Sequence, residues 1–172
     1  EDPIEMVFYT LEEPPFFRGD KMGSAVHARS LKEAGVDVRY MISLEMIGYF
    51  SDEALSQKFL SPILYTLYPS TGDFIAVVSR STDRELVRGL KRAMTANANI
   101  DTYSINAPDF VPGIDFSDHL NYWELGWPAA MITDTAFLRN DQYHRDGDTP
   151  GRLDYDRMAE VVRGLYAALV QN

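Results

Sequence analysis

Residues 4–13, with the sequence IEMVFYTLEE, join the first apolar run of the chain to two adjacent carboxylates, Glu12 and Glu13. A near-continuous apolar run is typical of a strand that is buried on both faces of an α/β sheet. Such sheets gather ligand-binding and catalytic groups at the carboxyl ends of their strands, which is where the two Glu lie. Adjacent carboxylates repel each other unless a cation lies between them, so the pair suggests a metal site. Taken alone, such a pair is more often a solvated acidic loop, and the interpretation depends on the rest of the chain.

The next elements predict a β-α-β unit. Residues 22–34 have the spacing of a helix that ends at Gly35, and residues 36–46 form a second strand-like run. Because a helix connects them, the strands on either side are expected to be parallel. Further strands are predicted at residues 74–79, 100–105 and 129–133, and a short helix at residues 117–125.

Two other helices and one irregular region complete the predicted order. Thr82 and Glu85 have the spacing of a capping box, which predicts that a helix begins there. The last helix carries an apolar stripe that is expected to pack against the sheet. The stripe consists of Tyr155, Met158, Ala159, Val162, Leu165, Tyr166 and Leu169. Residues 48–72 are irregular and aromatic, and we expect them to cover the sheet edge or to wall a pocket.

The composition limits the classes of protein and of site. With 172 residues, of which 45% are hydrophobic, the chain can bury a core, and its length favours one domain. Its 16 Lys and Arg against 26 Asp and Glu give a net charge of -10, which disfavours nucleic acid as a partner. There is no cysteine, so a metal site must use oxygen and nitrogen ligands. No apolar stretch approaches the roughly 18 residues of a membrane-spanning helix.

Acidic side chains and a histidine follow the predicted strands. If the strands are parallel, their carboxyl ends bring these side chains to one edge of the sheet. The set consists of Glu12, Glu13, Glu45, Asp118 and His144. Asp, Glu and His in the absence of Cys are the ligands of a hydrolytic zinc site. Asp148 follows His144 closely and is a candidate to orient its imidazole.

Each of these residues also has a structural explanation. Glu45 is in a position to meet a Lys or Arg at the end of its strand. Asp118 is equally suited to cap the helix that begins beside it. His144 stands in a polar loop that contains glycine, where a surface position is the alternative. His27 is expected to face solvent, and His119 to be structural or to wall a pocket.

Two other hydrolase classes were weighed against the metal site. A serine triad is set aside because residues 117–119, Ser-Asp-His, are consecutive and therefore unable to meet in space. A two-carboxylate glycosidase, with Glu12 or Glu13 acting together with Glu45, stays open. It leaves the histidine loop unexplained.

Read together, several short motifs resemble the M28 family of zinc-dependent aminopeptidases. They come in family order and cover nearly the whole chain. The motifs are FYTLEE at 8–13, MGS at 22–24, LEMIG at 44–48, SDH at 117–119, GWPA at 126–129 and YHRDGDT at 143–149. The stretch YPSTGDFIA at 68–76 is similar to a bacterial branch of that family. Individually the motifs are weak, but the series is fairly specific.

The resemblance implies a three-layer α/β sandwich with a mixed, mainly parallel sheet between helices, in one peptidase-like domain over residues 1–172. It also implies a site with two zinc ions bridged by an aspartate. By motif, Glu13 would be a ligand of one metal, Glu45 of the other and His144 the last ligand. Asp118 and Asp148 would support a ligand or contact the substrate.

The same resemblance implies a hydrolytic mechanism for peptides with a free N-terminus. Metal lowers the pKa of bound water toward about 7, and Glu12 removes its proton as general base. Glu12 then returns the proton to the leaving amine. Tyr143 would donate a hydrogen bond to the tetrahedral intermediate. Acidic groups around the site would suit the α-amino group of the substrate.

The chain departs from the family pattern in one respect. The family's first metal-binding His and its bridging Asp precede the Glu-Glu motif, and Asp2 is expected to lie on the wrong side of the strand to replace the bridge. We therefore expect the chain to be the carboxyl-terminal majority of a catalytic unit, with weak metal binding and little activity alone. A glutaminyl cyclase with one zinc and a non-catalytic binding domain on the same scaffold are the alternatives.

Overall fold

A computed structural model describes residues 3–170, so Asp2 lies outside the described part. Four strands form one open sheet: β1 is Met41–Glu45, β2 is Phe74–Arg80, β3 is Asp101–Ala107 and β4 is Ala129–Thr133. The strand order is β1-β4-β2-β3. β1 is parallel to β4 and β2 is parallel to β3, whereas β2 and β4 are antiparallel. The prediction of a mixed, mainly parallel sheet is confirmed.

Helices cover both faces of this sheet. They are α1 at Gly23–Glu33, α2 at Arg84–Asn97, α3 at Leu120–Glu124 and α4 at Tyr155–Val170. One apolar cluster joins α2 and α4 to one face of the sheet, and a second joins α1 and α3 to the other. The three layers expected from the sequence are therefore present. None of the helices in the described part is long and apolar enough to cross a membrane.

The two central strands explain why the sheet is stable. In β2, Ile75 and Val77 point into one cluster while Phe74, Ala76 and Val78 point into the other. All five are buried, as the alternation of side chains along a strand requires when both faces are covered. Burying an apolar side chain of valine size or larger contributes about 1.5–3 kcal/mol. β4 is buried at all of its positions.

The predicted strand at residues 4–11 is not part of the sheet. These residues are assigned no strand in the structure, and Met6 and Phe8 are 81% and 91% exposed. A run of apolar residues is buried as a strand only where a neighbour supplies hydrogen bonds, and β1 pairs with β4 alone within residues 3–170. The predicted β-α-β unit is therefore wrong, because the parallel neighbour of β1 is β4. The strand expected at 36–46 is shorter, at Met41–Glu45.

The last helix is where it was predicted, but the stripe that was expected to pack is partly exposed. Tyr155, Val162 and Tyr166 are 58%, 50% and 65% exposed. Leu165 of the predicted stripe is buried, and the rest of the buried face includes Val161, Gly164 and Ala168. A Cβ atom on Gly164 would lie 3.0 Å from Ala98 Cβ and 3.2 Å from Met94 Cα. Small residues allow α4 to approach α2 closely, and this contact decides the helix orientation.

The helix expected at Thr82 begins at Arg84, after a short 3₁₀ turn at Ser81–Asp83. No side chain caps it, so the capping box is absent. The Asp83 carboxylate accepts hydrogen bonds from Arg80 Nε at 2.9 Å and from the Ala129 amide at 3.2 Å. The acid next to the helix start therefore ties β2 to β4 instead of capping α2.

Residues 48–72 form an irregular excursion, as predicted, with one 3₁₀ turn at Pro62–Thr66. A buried arginine fastens it to the sheet. Arg139 donates from Nε and Nη2 to Gln57 Oε1 at 3.0 and 2.8 Å, and from Nη1 to the carbonyls of Tyr49 and Phe74 at 3.1 and 3.0 Å. These bonds satisfy the guanidinium in an apolar setting, where an unpaired polar group would be costly.

Candidate active site

The segment that carries Glu12 and Glu13 is fixed by the start of α1. The Gly23 amide donates to the Thr10 carbonyl at 2.9 Å. A Cβ atom on Gly23 would lie 2.9 Å from Thr10 N, so this approach requires glycine. Leu11, which directly precedes the two carboxylates, has φ +61° in the left-handed region. The backbone therefore changes direction where the acidic pair begins.

The carboxylate of Glu45 is held at the end of β1 by serine hydroxyls. Ser117 Oγ donates to Glu45 Oε2 at 3.0 Å, and Ser43 Oγ lies 2.6 Å from Ser117 Oγ. Both serines are buried. Met46 follows with φ +49°. The alternative that Glu45 meets a Lys or Arg is wrong within the described residues, since its hydrogen bond comes from a neutral hydroxyl.

Asp118 is tied to α1 rather than acting as a helix cap. The Ser24 hydroxyl donates to Asp118 Oδ1, and Asn121 Nδ2 donates to Ser24 Oγ at 2.8 Å. The helix α3 begins at Leu120 and has no side-chain cap. The capping explanation for Asp118 is therefore wrong, and the residue belongs to a polar contact between α1 and α3.

Burial raises the pKa of three carboxyl groups of the site, and neighbouring negative charges add to the shift for Glu12 and Glu45. Burial, followed by the charges of Glu45, Glu13 and Asp118, raises the pKa of Glu12 to about 7. Burial also raises the pKa of Glu45, with the Ser117 hydrogen bond opposing it and the neighbouring acids adding to it. Burial raises the pKa of Asp118, again against its serine bond. Each neighbouring negative charge favours the neutral acid, so Glu12 titrates near neutral pH.

Tyr143 and His144 face this acidic group from the other side. His144 Nε2 lies 3.0 Å from Glu13 Oε1, and both side chains are at least half exposed. The Tyr143 and His144 rings stack at 3.9 Å, and His144 has φ +57°. Burial and the charges of the nearby acids raise the pKa of Tyr143 to about 12, so its hydroxyl keeps its proton. Asp148 accepts from Asn140 Nδ2 at 2.9 Å rather than from the His144 imidazole.

The predicted side chains come together by a different route from the one expected. Of the strands that were expected to carry these side chains, β1 does end at this edge of the sheet. It ends there together with β4, which is parallel to it. β3 runs antiparallel to β4 through β2, so its carboxyl end lies at the opposite edge. The chain returns through residues 108–119, and Ser117 reaches Glu45 at the end of that loop. Asp118 therefore reaches the site through a long loop rather than through strand direction.

A deep apolar pocket opens beside the acidic residues. Its volume is about 460 Å³, and its mouth includes Glu12, Glu13, Glu45, Tyr143 and His144. Its floor consists of β2 and β3 side chains, including Phe74, Ala76 and Tyr103. The excursion supplies a wall, in which Tyr68 Oη donates to the Ser104 carbonyl at 2.8 Å. The prediction that residues 48–72 wall a pocket is confirmed.

The metal ligands expected from the resemblance do not all meet in one group in the described part of the chain. Within residues 3–170, no group of three or more His, Asp or Glu side chains is close enough to hold a metal ion. Glu13 and His144 are one pair of donors in contact, an oxygen and a nitrogen, of the kind that zinc accepts. Since zinc takes at least three protein ligands, the described residues alone do not make a complete site.

A buried acid next to the site was not predicted from the sequence. Asp134 is 1% exposed, and its carboxylate accepts from the amides of Gly48, Tyr49 and Ala136 at 3.0, 2.7 and 3.0 Å. It fixes the turn that follows Glu45. Burial raises its pKa to about 6, against these hydrogen bonds. Its position directly after the apolar run 129–133 was a signal of the same kind as Glu45.

The two other histidines differ from each other. His119 is fully buried, bonded through Nε2 to the Ile114 carbonyl at 2.7 Å, and packed edge-on against Trp123. The structural role expected for it is confirmed. His27 is partly buried, and its Nδ1 lies 2.8 Å from Tyr9 Oη, so the expectation that it faces solvent is wrong.

Known proteins resemble this chain along nearly its whole length. The uncharacterized protein YfbL of Escherichia coli (strain K12) is 54% identical over 166 residues, which are 96% of this chain and 50% of YfbL. Leucine aminopeptidase 1 of Sclerotinia sclerotiorum is 27% identical over 164 residues, which are 95% of this chain and 36% of that protein. The chain thus spans half or less of the length of these relatives.

Solved structures support the fold. The LapA aminopeptidase of Legionella pneumophila superposes with a TM-score of 0.61 at 20% identity, covering 85% of this chain and 34% of LapA. An aminopeptidase from Aneurinibacillus sp. strain AM-1 gives a TM-score of 0.54 at 20% identity, covering 87% and 29%. These are zinc-exopeptidase folds, as the sequence predicted. The sequence profile of peptidase family M28 matches residues 1–169, and the chain belongs to that family.

Proposed function

We propose that this site removes the N-terminal residue from peptides whose first side chain is apolar. The observation that carries the proposal is Glu12, a half-buried carboxyl that titrates at about pH 7 at the mouth of an apolar pocket. A general base is most effective when its pKa is close to the working pH. Family membership and the aminopeptidase relatives support a peptidase reaction.

In the proposed reaction, Glu12 takes a proton from the attacking water and later delivers it to the leaving amine. Tyr143, which lines the same pocket, would support the step. Because its hydroxyl stays protonated up to about pH 12, it can donate a hydrogen bond to the oxyanion of the tetrahedral intermediate.

The walls of the site suggest how a substrate is chosen. The carboxylates at the mouth provide negative charge for a free α-ammonium group. Behind them, the floor formed by Phe74, Ala76 and Tyr103 is apolar, and a volume of about 460 Å³ has room for a large aliphatic or aromatic side chain. A charged side chain would lose its hydration there without gaining a partner.

We also propose that zinc acts in this site, with Glu13 and His144 among its ligands. When bound, zinc would lower the pKa of the attacking water and polarise the scissile carbonyl. Glu45 would be a further ligand, oriented by the Ser117 hydroxyl. Residues 3–170 do not provide a three-ligand group, so zinc would need ligands besides the pair that the structure brings together there.

Hydrolysis of aminoacyl p-nitroanilides by the complete native polypeptide, with wild-type Glu12 and with Glu12→Gln, tests the proposed base. We expect kcat to fall by about 10²–10⁴-fold in the variant, with a much smaller change in KM. Glu85→Gln is the matched control, because Glu85 is an exposed acid paired with Arg88 on α2. Equal activity of Glu12→Gln and wild type would contradict the assignment.

Zinc content by elemental analysis after dialysis, on this chain and on the complete polypeptide, tests the metal. We expect two zinc ions in the complete polypeptide and at most one here. Absence of zinc in both would overturn the metal proposal and favour a binding domain. Cyclisation of a peptide with N-terminal Gln, without release of an N-terminal Leu, would instead assign a glutaminyl cyclase.

A further inference from the structure

A cluster of tyrosine and histidine side chains lies just upstream of the catalytic carboxylates. Tyr9 Oη is 2.7 Å from Tyr122 Oη and 2.8 Å from His27 Nδ1, and Tyr122 Oη is 3.2 Å from the same nitrogen. The other ring nitrogen of His27 lies 3.6 Å from a carboxylate oxygen of Glu5. These residues come from three places, the first segment, α1 and α3, and they meet at one hydroxyl.

The distances fit one arrangement of protons. If His27 carries its proton on Nε2, toward Glu5, then Nδ1 is an acceptor. Tyr9 donates to Nδ1, and Tyr122 donates to Tyr9 Oη. The Tyr9 hydroxyl, the Tyr122 hydroxyl and Nδ1 then each have a hydrogen-bond partner, in a region where Tyr122 is only 3% exposed. The Tyr9 hydroxyl thus joins the first segment to both helices, through His27 in α1 and Tyr122 in α3.

This anchor matters because residues 4–11 have no strand partner in the described part. Their apolar side chains contribute little, since Phe8 is almost fully exposed. The segment is held by the Gly23 amide, which bonds the Thr10 carbonyl at 2.9 Å, and by the side chain of Tyr9. Glu12 follows only three residues later, so displacement of Tyr9 moves the proposed base.

We propose that Tyr9 is a positioning residue for Glu12 and Glu13, and that Tyr122 and His27 act through it to fix the segment that carries both carboxylates. The effect of Tyr9 on turnover rests on the proposed function, whereas its effect on the position of the backbone does not. A misplacement of about 1 Å at a catalytic group costs about 10²-fold in rate, so a modest shift suffices.

The first test is hydrogen–deuterium exchange of the complete native polypeptide, followed at the Gly23 amide, which donates to the Thr10 carbonyl. We expect Tyr9→Phe to increase the exchange rate there by about fivefold, with α2 and α4 unchanged, since one net hydrogen bond is worth about 1 kcal/mol. Tyr155→Phe makes the same chemical change at an exposed tyrosine whose hydroxyl bonds the Pro150 carbonyl, and it is the control.

The second test separates positioning from general structure. We expect Tyr9→Phe to lower kcat by about tenfold while KM stays within about twofold, because the base moves and the pocket does not. His27→Leu should have a similar effect. His27→Asn places an amide oxygen close to the position of Nδ1, so it should recover most of the activity.

The outcomes are distinct. Unchanged exchange at the Gly23 amide in Tyr9→Phe, with unchanged kcat, overturns the proposal. Equal loss in the Leu and Asn variants of His27, or a loss confined to KM, also contradicts it. If wild type has no aminopeptidase activity, the proposed function fails, and the exchange experiment alone decides whether Tyr9 fixes the segment.

Discussion

Residues 4–11 and strand β4 are both short apolar runs followed by acidic residues, yet they have opposite fates. β4 is buried along its whole length between β1 and β2, and Asp134 after it is bonded to three amides. The earlier run has no strand partner among residues 3–170 and exposes Met6 and Phe8. Hydrophobicity is common to both runs, so it does not decide burial. Burial is decided by whether neighbouring strands are present to supply hydrogen bonds.

The comparison also shows two ways of holding a carboxylate. Glu45 and Asp134 lie behind paired strands and are fixed by buried hydroxyls or amides. Glu12 instead depends on a few contacts from α1 and α3. The half of the site that reaches the sheet is therefore rigid, and the half on the first segment is the more sensitive to single changes.

The largest effect is expected from the same substitution made in both runs. Ile132→Ala in β4 removes a fully buried side chain and should lower the free energy of unfolding by about 2–5 kcal/mol. Ile4→Ala, at a position that is 56% exposed, should change it by less than about 0.5 kcal/mol. Urea unfolding of this chain measures both. Similar losses of unfolding free energy in the two variants would mean that residues 4–11 are packed, and would contradict the contrast between the two runs.

A second prediction concerns the effect of pH on a buried side chain, His119. Burial lowers the pKa of His119 to about 4 from its ordinary 6.5. As pH falls, unfolded chains therefore take up a proton on this histidine before folded chains do. The stabilisation that depends on a neutral His119 is complete above pH 6.5 and is lost as pH falls to 4. The difference in unfolding free energy between wild type and His119→Gln should change by about 3 kcal/mol over this window. Parallel curves for the two proteins would contradict the burial of a neutral imidazole.

The smallest effect is expected from two glycines in helices. Gly164→Ala places a methyl group 3.0 Å from Ala98 Cβ at the α2–α4 crossing and should cost about 1 kcal/mol. Gly89→Ala, where nothing lies within 4 Å, should stabilise α2 by up to about 1 kcal/mol through helix propensity. Thermal unfolding of both variants measures the difference in stability between them. Equal shifts would show that α4 is free to move away from α2.

Much of the fold was predictable because its signals are local. The position of α4 and the strands at 74–79 and 129–133 follow from periodicity and from buried apolar runs. The packed face of α4 did not follow, because Tyr and Val look apolar in sequence while Gly164 and Ala168 make the close contact. The direction of β2 relative to β4 also depends on connections that no local pattern records.

The candidate site was predicted in part for a similar reason. Charged residues at strand ends led to Glu45, and Glu13 lies in contact with His144 in the group that was expected to gather there. Ser117 and Ser43 carry no charge and lie far apart in sequence, so their contact with Glu45 emerges only from the fold. Arg139 was missed because a lone arginine in a loop resembles a solvent-exposed residue, whereas here Gln57 and two carbonyls enclose it.

The left-handed backbone at Leu11, Met46 and His144 has a consequence for engineering this protein. Residues with side chains are strained in that conformation by about 1–3 kcal/mol, and each of these adjoins or is a proposed site residue. A redesign guided by stability alone would choose glycine at all three positions. The product would melt at a higher temperature, but it would lack the His144 imidazole, and the freer glycine backbone would no longer fix the orientations of Glu12 and Glu45.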